Sequence, residues 1–185
     1  GSVRDDSYGY QVGGNPASGM NIWRYPFAAT TSLSDVGEIV DASPPSATVD
    51  QSMGASSGTY GFIMGGKRGS PQAWSDMVQK ITLASPAPSV DTGAELSEGR
   101  YAGFGLSDIT NSYMVCYAGS EAVTPSTPAY GLHVDTIEKG AFTVSSGTLT
   151  DVGNAQNDTY STQGSQSTTY GYQAGGFYYP PAIYY

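Results

Sequence analysis

Three features of the 185-residue sequence predict an all-β protein. Gly (25) and Tyr (15) are abundant while Lys and Arg together number only 7, a strand-and-turn composition poor in helix formers. Short runs rich in Tyr, Val, Ile and Met are separated by clusters of Gly, Pro, Asn and Ser, which bend the chain for steric reasons. One phrase also returns four times. It reads Tyr8-Gly9-Tyr10-Gln11-Val12-Gly13-Gly14, then Tyr60-Gly61-Phe62-Ile63-Met64-Gly65-Gly66, then the diverged Tyr113-Met114-Val115-Cys116-Tyr117-Ala118-Gly119, then Tyr170-Gly171-Tyr172-Gln173-Ala174-Gly175-Gly176. In each copy the leading Tyr stands five positions before the small pair.

In chain order, residues 1–7 are polar and Tyr8–Val12 is the first predicted strand, closed by Gly13-Gly14. Asn15 to Gly19 is turn chemistry. Ile22 to Phe27 is the next strand, with Trp23, Tyr25 and Phe27 on one face by period two and Pro26 pointing to an edge or a strand end. Asp35-Val36-Gly37 reads as a turn into Glu38-Ile39-Val40. The second unit repeats the plan. Gly54 to Gly58 is small and flexible, Tyr60–Met64 is a strand closed by Gly65-Gly66, and Lys67-Arg68-Gly69 is a turn. Met77–Leu83 is a strand, and Asp91-Thr92-Gly93 turns into Ala94-Glu95-Leu96. The third unit has Tyr113–Tyr117 and Tyr130–Ile137 as strands, Lys139-Gly140 as a turn, and Asp151-Val152-Gly153 in the Asp-x-Gly place. A fourth begins with the polar tract Ser161 to Thr169 and its Tyr-Gly-Tyr strand.

Four short strands per unit of about 50 residues fit a propeller blade, and short closely spaced strands also fit a β-sandwich, the alternative. A sandwich does not require one phrase to return at near-constant spacing. The expected organisation is one all-β repeat domain, 1–185, with units at approximately 1–52, 53–99, 100–160 and 161–185. The aromatic strand ending in Gly-Gly, followed by Trp23 and Tyr25 in one unit and Trp74 in the next, resembles the kelch repeat of β-propellers. Closer still, Tyr-Gly-Tyr-x-x-Gly-Gly with Asp35-Val36-Gly37-Glu38-Ile39 resembles repeats in structural proteins of tailed phages, notably those infecting marine cyanobacteria. The resemblance implies kelch-like blades, about three plus part of a fourth. It places the chain in a virion (an extracellular particle), as a non-catalytic structural or interaction component of tail, fibre or capsid surface. The implied alternative is a carbohydrate-binding module that recognises a host surface glycan. Propellers close with about four to eight blades, so completion by oligomerisation or by a longer chain is expected. The repeat positions that carry the architecture are Tyr8, Gly13, Gly14, Tyr60, Gly65, Gly66, Tyr113, Gly119, Tyr170, Gly175 and Gly176.

A net charge of −9, from 7 basic and 16 acidic residues, argues against nucleic acid and against an anionic membrane surface. No run approaches the ~18 apolar residues of a membrane span, so no membrane insertion is expected. No leader pattern is read at the N-terminus. Expected partners are other virion proteins or copies of the chain itself, with a host glycan in the alternative reading.

No enzyme and no cofactor are expected. Asp35, Asp91 and Asp151 with their glycines resemble the Asp boxes of sialidase-type propellers but lack the surrounding pattern, and Asp-x-Gly also suits a plain β-turn. His133 has no second His and no Cys pair for a transition metal, and no Gly-x-Ser-x-Gly elbow accompanies it. Asp151, Asn154, Asn157 and Asp158 are oxygen-rich but match no standard calcium loop. Glu38 and Glu95, the only candidate acid pair by repeat position, are expected on different blades. Cys116 reads as a buried, inert thiol. Tyr178, Tyr179, Tyr184 and Tyr185 crowd the C-terminus as candidate interface residues, since Tyr brings contact area at low entropic cost.

Overall fold

The computed structural model describes residues 1–14, 20–28, 32–40, 49–68, 73–85, 88–121, 133–156, 159 and 161–176. The protein is all-β, and the described residues contain strands and no helix.

The first sheet is an antiparallel meander of β1 (Ser2–Arg4), β2 (Tyr8–Val12), β3 (Asn21–Pro26) and β4 (Ser34–Glu38). The chain returns through a short strand, β5 (Val49–Asp50), and builds β6 (Met53–Ser56) and β7 (Tyr60–Met64). Two short outer strands, β8 (Lys67–Arg68) and β9 (Ala73–Trp74), precede β10 (Met77–Thr82) and β11 (Val90–Glu95). Strands β6, β7, β10 and β11 form the second meander, while β5, β8 and β9 make a separate three-stranded sheet. The third group runs β12 (Arg100–Tyr101), β13 (Phe104–Asp108), β14 (Tyr113–Glu121), β15 (His133–Ala141), β16 (Gly147–Thr148) and β17 (Thr150–Asn154). Here β13, β14, β15 and β17 form the meander, and β16 crosses to pair in parallel with β11 of the second sheet. The last hairpin is β18 (Gln163–Gln166) with β19 (Gly171–Ala174).

Each repeated phrase is therefore the second strand of its sheet. The Tyr strands of the first three units pair with β3, β10 and β15, and the register slips at the same place in all three outer pairings. The slips fall between Ile22 and Trp23, Val78 and Gln79, and Ile137 and Glu138. Opposite each slip lies the Asp-x-Gly, and there the expectation is corrected. Asp35-Val36-Gly37, Asp91-Thr92-Gly93 and Asp151-Val152-Gly153 lie inside the fourth strands as bulges, not in turns before them. Each Asp Oδ1 accepts the N–H of the Gly two residues on, at 3.2, 2.8 and 2.9 Å. Lys139-Gly140 is likewise strand and not turn, with the Leu149 side chain packed over Gly140. Lys67-Arg68 pairs with β5 and β9. Trp74 sits in an outer strand and Trp23 in a third strand, so the two are not equivalent positions.

The paired glycines have a defined use. The first residue of each pair is left-handed: φ is 69° at Gly13, 60° at Gly65, 51° at Ala118 and 67° at Gly175. A Cβ is disfavoured in that region, so three units carry Gly and Ala118 is held there by its surroundings. The second residue's N–H holds the segment that enters the next unit. Gly14 donates to Val49 O, Gly66 to Arg100 O and Gly119 to Thr159 O, at 3.3, 2.8 and 3.1 Å. The leading Tyr also has a common setting. Arg24, Lys80 and Lys139, one from each third strand, lie over the rings of Tyr8, Tyr60 and Tyr113 at 4.7, 4.9 and 4.3 Å, at cation–π distance.

Successive sheets pack face against face. Strand alternation places Tyr10 and Val12 on one face of the first sheet with Val3 and Ile22, and these meet Ile63, Ile81 and Leu83 of the second. The other face of the second sheet, with Phe62, Met64 and Val78, meets Met114 and Cys116 of the third. In each seam the leading-Tyr face of one unit therefore meets the opposite face of the next. A knob-and-notch rule runs along these seams. Val3 packs over Gly61, and Leu106 packs over Gly171. At the middle seam the sizes are exchanged: small Ala55 and large Met114 share one core.

The inner strands β1, β6, β13 and β18 lie side by side in that order. A Cβ on Gly54 would overlap the Ser2 carbonyl, and one on Gly105 would overlap the Gly54 carbonyl. Both obstacles are backbone, so Gly54→Ala is expected to cost about 1–3 kcal/mol as an overpacked contact. Urea unfolding checks this, and an unchanged midpoint would mean that β1 and β6 are not apposed in solution.

Candidate functional site

The surface made by the four inner strands is the candidate site. The sequence does not announce these strands, because each is short and rich in Ser, Gly or Gln, with at most two apolar residues in alternation, as at Met53 and Ala55 or Phe104 and Leu106. Their shared signal is Gly54, Gly105 and Gly164, which stand six or eight positions before the leading Tyr. Neighbouring inner strands are joined through side chains. Ser56 Oγ accepts the Arg4 N–H at 2.9 Å, Ser107 Oγ accepts the Ser56 N–H at 2.7 Å, and Gln166 Oε1 accepts the Ser107 N–H at 2.6 Å. Gln166 Nε2 returns a bond to Ser107 O at 2.8 Å. Hydroxyl and amide groups thus hold the strands in register while the strand edges remain close to backbone.

Two hollows open on this surface. One, of about 400 Å³, is bounded by Ser56, Ser107 and Gln166 with the rings of Tyr25 and Phe27 at its rim. The rings meet edge to face at 5.8 Å, and both are exposed. The other, of about 720 Å³, is lined by Gln11, Gln51, Ser52, Thr162 and Gln163 along with inner-strand backbone. Arg4, Asp5 and Asp6 also border the first hollow, so it offers charged as well as neutral hydrogen-bonding groups beside the two exposed rings. A third hollow of about 570 Å³ separates the third sheet, at Phe104, Val115 and Tyr117, from the last hairpin.

The chemistry weighed in the sequence falls in separate places. Glu38 pairs with Asn21 in the first sheet and Glu95 with Met77 in the second, so the two carboxylates belong to different sheets. His133 begins β15 opposite Ser120. Asn154 donates to Asp135 Oδ1 at 2.6 Å, and Asp151 is engaged with Gly153. Asn157 and Asp158 lie outside the described residues, as do Tyr178, Tyr179, Tyr184 and Tyr185. Among the described residues no group of three or more His, Cys, Asp or Glu is placed to hold a metal.

Cys116 is fully buried against Met53, with sulfur atoms 3.2 Å apart. Burial pushes its thiol up to about 12. Since the thiolate is the nucleophile, native protein at pH 8 is expected to resist thiol reagents, while guanidinium-unfolded protein takes up one equivalent. Rapid native labelling would show that this core opens readily.

A buried ion pair lies within the third sheet, between β12 and β15. Arg100 Nη2 and Glu138 Oε2 are 2.9 Å apart, at 2% and 0% side-chain exposure. Glu138 Oε1 also accepts the Ser97 N–H at 2.8 Å, and Arg100 Nη2 donates to Ser97 Oγ at 3.2 Å. Neither sequence position announced the pair, because its partners lie 38 residues apart in a chain poor in charge.

No family model matches the chain, and no curated protein matches it.

Proposed function

We propose that this chain is a non-catalytic structural or interaction component of a phage particle, in the tail, a fibre or the capsid surface, and that its sheets act as kelch-like propeller blades. One observation carries the reading: the first three sheets join by the same face-to-face contact, a design that builds surface and rigidity by repetition. The likeness of the Tyr-Gly-Tyr-x-x-Gly-Gly phrase to tailed-phage repeats supplies the particle, and this part rests on analogy. The acidic, weakly charged surface suits a component that works by shape. Antibody against the chain is expected to decorate purified particles of the phage that encodes it. Recovery of the protein only from the particle-free lysate would overturn the assignment.

The hollow rimmed by Tyr25 and Phe27 favours a second reading, a carbohydrate-binding module for a host surface glycan. Sugar rings stack on aromatic faces while their hydroxyls bond to Ser and Gln. A glycan array with purified protein separates the two readings. Binding lost in Tyr25→Ala supports the module, and a flat response across bacterial surface sugars removes it.

A further inference from the structure

We propose that copies of this chain associate head to tail, with the Tyr170–Tyr172 face of the last hairpin docking on the Gly9–Trp23–Tyr25 face of the first sheet of a second copy. The inference deepens the structural reading above and rests on it for its biological setting, but its geometry is independent of the particle.

Three seams lie inside the chain. In each, the leading-Tyr face of one unit meets the opposite face of the next. The last hairpin obeys the rule on its inward side, where Gly171 receives Leu106, Gly164 lies against the Phe104 ring, and Gln173 Nε2 donates to Thr159 Oγ1 at 2.6 Å. Its other face is therefore a leading-Tyr face with no following sheet among the described residues, and Tyr170 and Tyr172 also border the hollow against the third sheet. Tyr170 is 67% exposed and Tyr172 53%. The first sheet has the converse surplus. Its leading-Tyr face is covered by the second sheet, while the opposite face carries Gln11, Trp23 and Tyr25, the last 40% exposed, with Phe27 and Leu33 also exposed nearby. The two open faces are the two that the internal rule pairs.

The knob-and-notch rule selects the occupant further. The knob position filled by Val3, Ala55 and Leu106 is Ser165 in the last hairpin, as the β18–β19 register shows. The notch position filled by Gly61, Met114 and Gly171 is Gly9 in the first sheet. That notch is already occupied, because the Tyr25 ring lies over Gly9. A small knob opposite a filled notch is the arrangement of the middle seam, where Ala55 accompanies Met114. The fourth pairing thus conserves volume as the first three do. Ser2 departs from the pattern by standing where Gly54, Gly105 and Gly164 allow close approach. The contact between copies is therefore wider at the inner strands and rests on the aromatic mid-sheet residues. Because the two faces differ, the contact is heterologous and propagates to rings or filaments.

Sedimentation of the purified chain across rising concentration tests the proposal. Wild-type protein is expected to form a closed ring of two or more copies, or a longer filament. Tyr172→Asp blocks one face and Tyr25→Asp the other, and each alone is expected to weaken self-association by roughly tenfold or more, since exposed aromatic anchors dominate such contacts. Mixed in equal amounts, the two variants retain one intact pair of faces and are expected to give a dimer that grows no further. Tyr172→Ser and Tyr25→Ser, with circular dichroism matching wild type, guard against misfolding as the cause. A wild-type monomer at high concentration overturns the proposal, as does assembly indifferent to both variants or a mixture that fails to yield the capped dimer. If the capped dimer forms but particles carry no antibody label, the contact stands and the phage assignment falls.

Discussion

Glu138→Ala is expected to destabilise the protein by about 3–5 kcal/mol, because it leaves the Arg100 guanidinium buried without its counter-charge. The remaining partners of Arg100 are the Ser97 hydroxyl and the Thr136 carbonyl, at 3.2 and 3.4 Å. Neither replaces a carboxylate 2.9 Å away. The Ser97 N–H also loses its acceptor. For a chain of this size the loss corresponds to a fall in Tm of roughly 6–20 °C. Thermal unfolding measures it. The double change Arg100→Met with Glu138→Leu is expected to recover most of the loss, since removing both charges removes the cost of burying either. If the single variant unfolds with wild-type behaviour, the pair is hydrated in solution and β12 is held against β15 more loosely than described.

Phe62→Ala is the second large effect, also about 3–5 kcal/mol. The ring is fully buried and stacks on Phe142 of the third unit, centroids 5.3 Å apart and planes 17° from parallel. Truncation opens a cavity between two sheets that, among the described residues, are tied by strand pairing only at β16. A double-mutant cycle with Phe142→Ala separates cavity from contact. A coupling of about 0.5–1.5 kcal/mol is expected for a stacked pair beyond its area term, and additive losses would show that the rings do not meet.

The second strand of every unit was legible in the sequence because Tyr8, Tyr60, Tyr113 and Tyr170 stand at one distance from a small pair that must turn left-handed. Ala118 shows the limit of that signal: it adopts the same φ without the residue that announces it. The Asp-x-Gly triplets misled for a physical reason. An Asp that accepts the N–H two residues on makes the same local ring in a turn as in a bulge, and only pairing with β3, β10 and β15 distinguishes them. The inner strands were not legible because their register is set by bonds such as Ser107 to Ser56 between units 51 residues apart. The aromatic rim at Tyr25 and Phe27 was visible as one face of a strand. What it would face depended on how the sheets were stacked, which no local pattern encodes.

The exchange of sizes between Ala55 and Met114, set against Val3–Gly61 and Leu106–Gly171, has a consequence for how such a gene can change. Duplicated modules begin interchangeable, but each of these junctions now has its own lock. Trading the second module for the third would press Val3 against Met114 at one joint and leave Ala55 facing Gly171 across a gap at another. The order of the modules is thus written into the fit of their shared walls, and recombination that shuffles them meets a penalty that point mutation in matched pairs avoids.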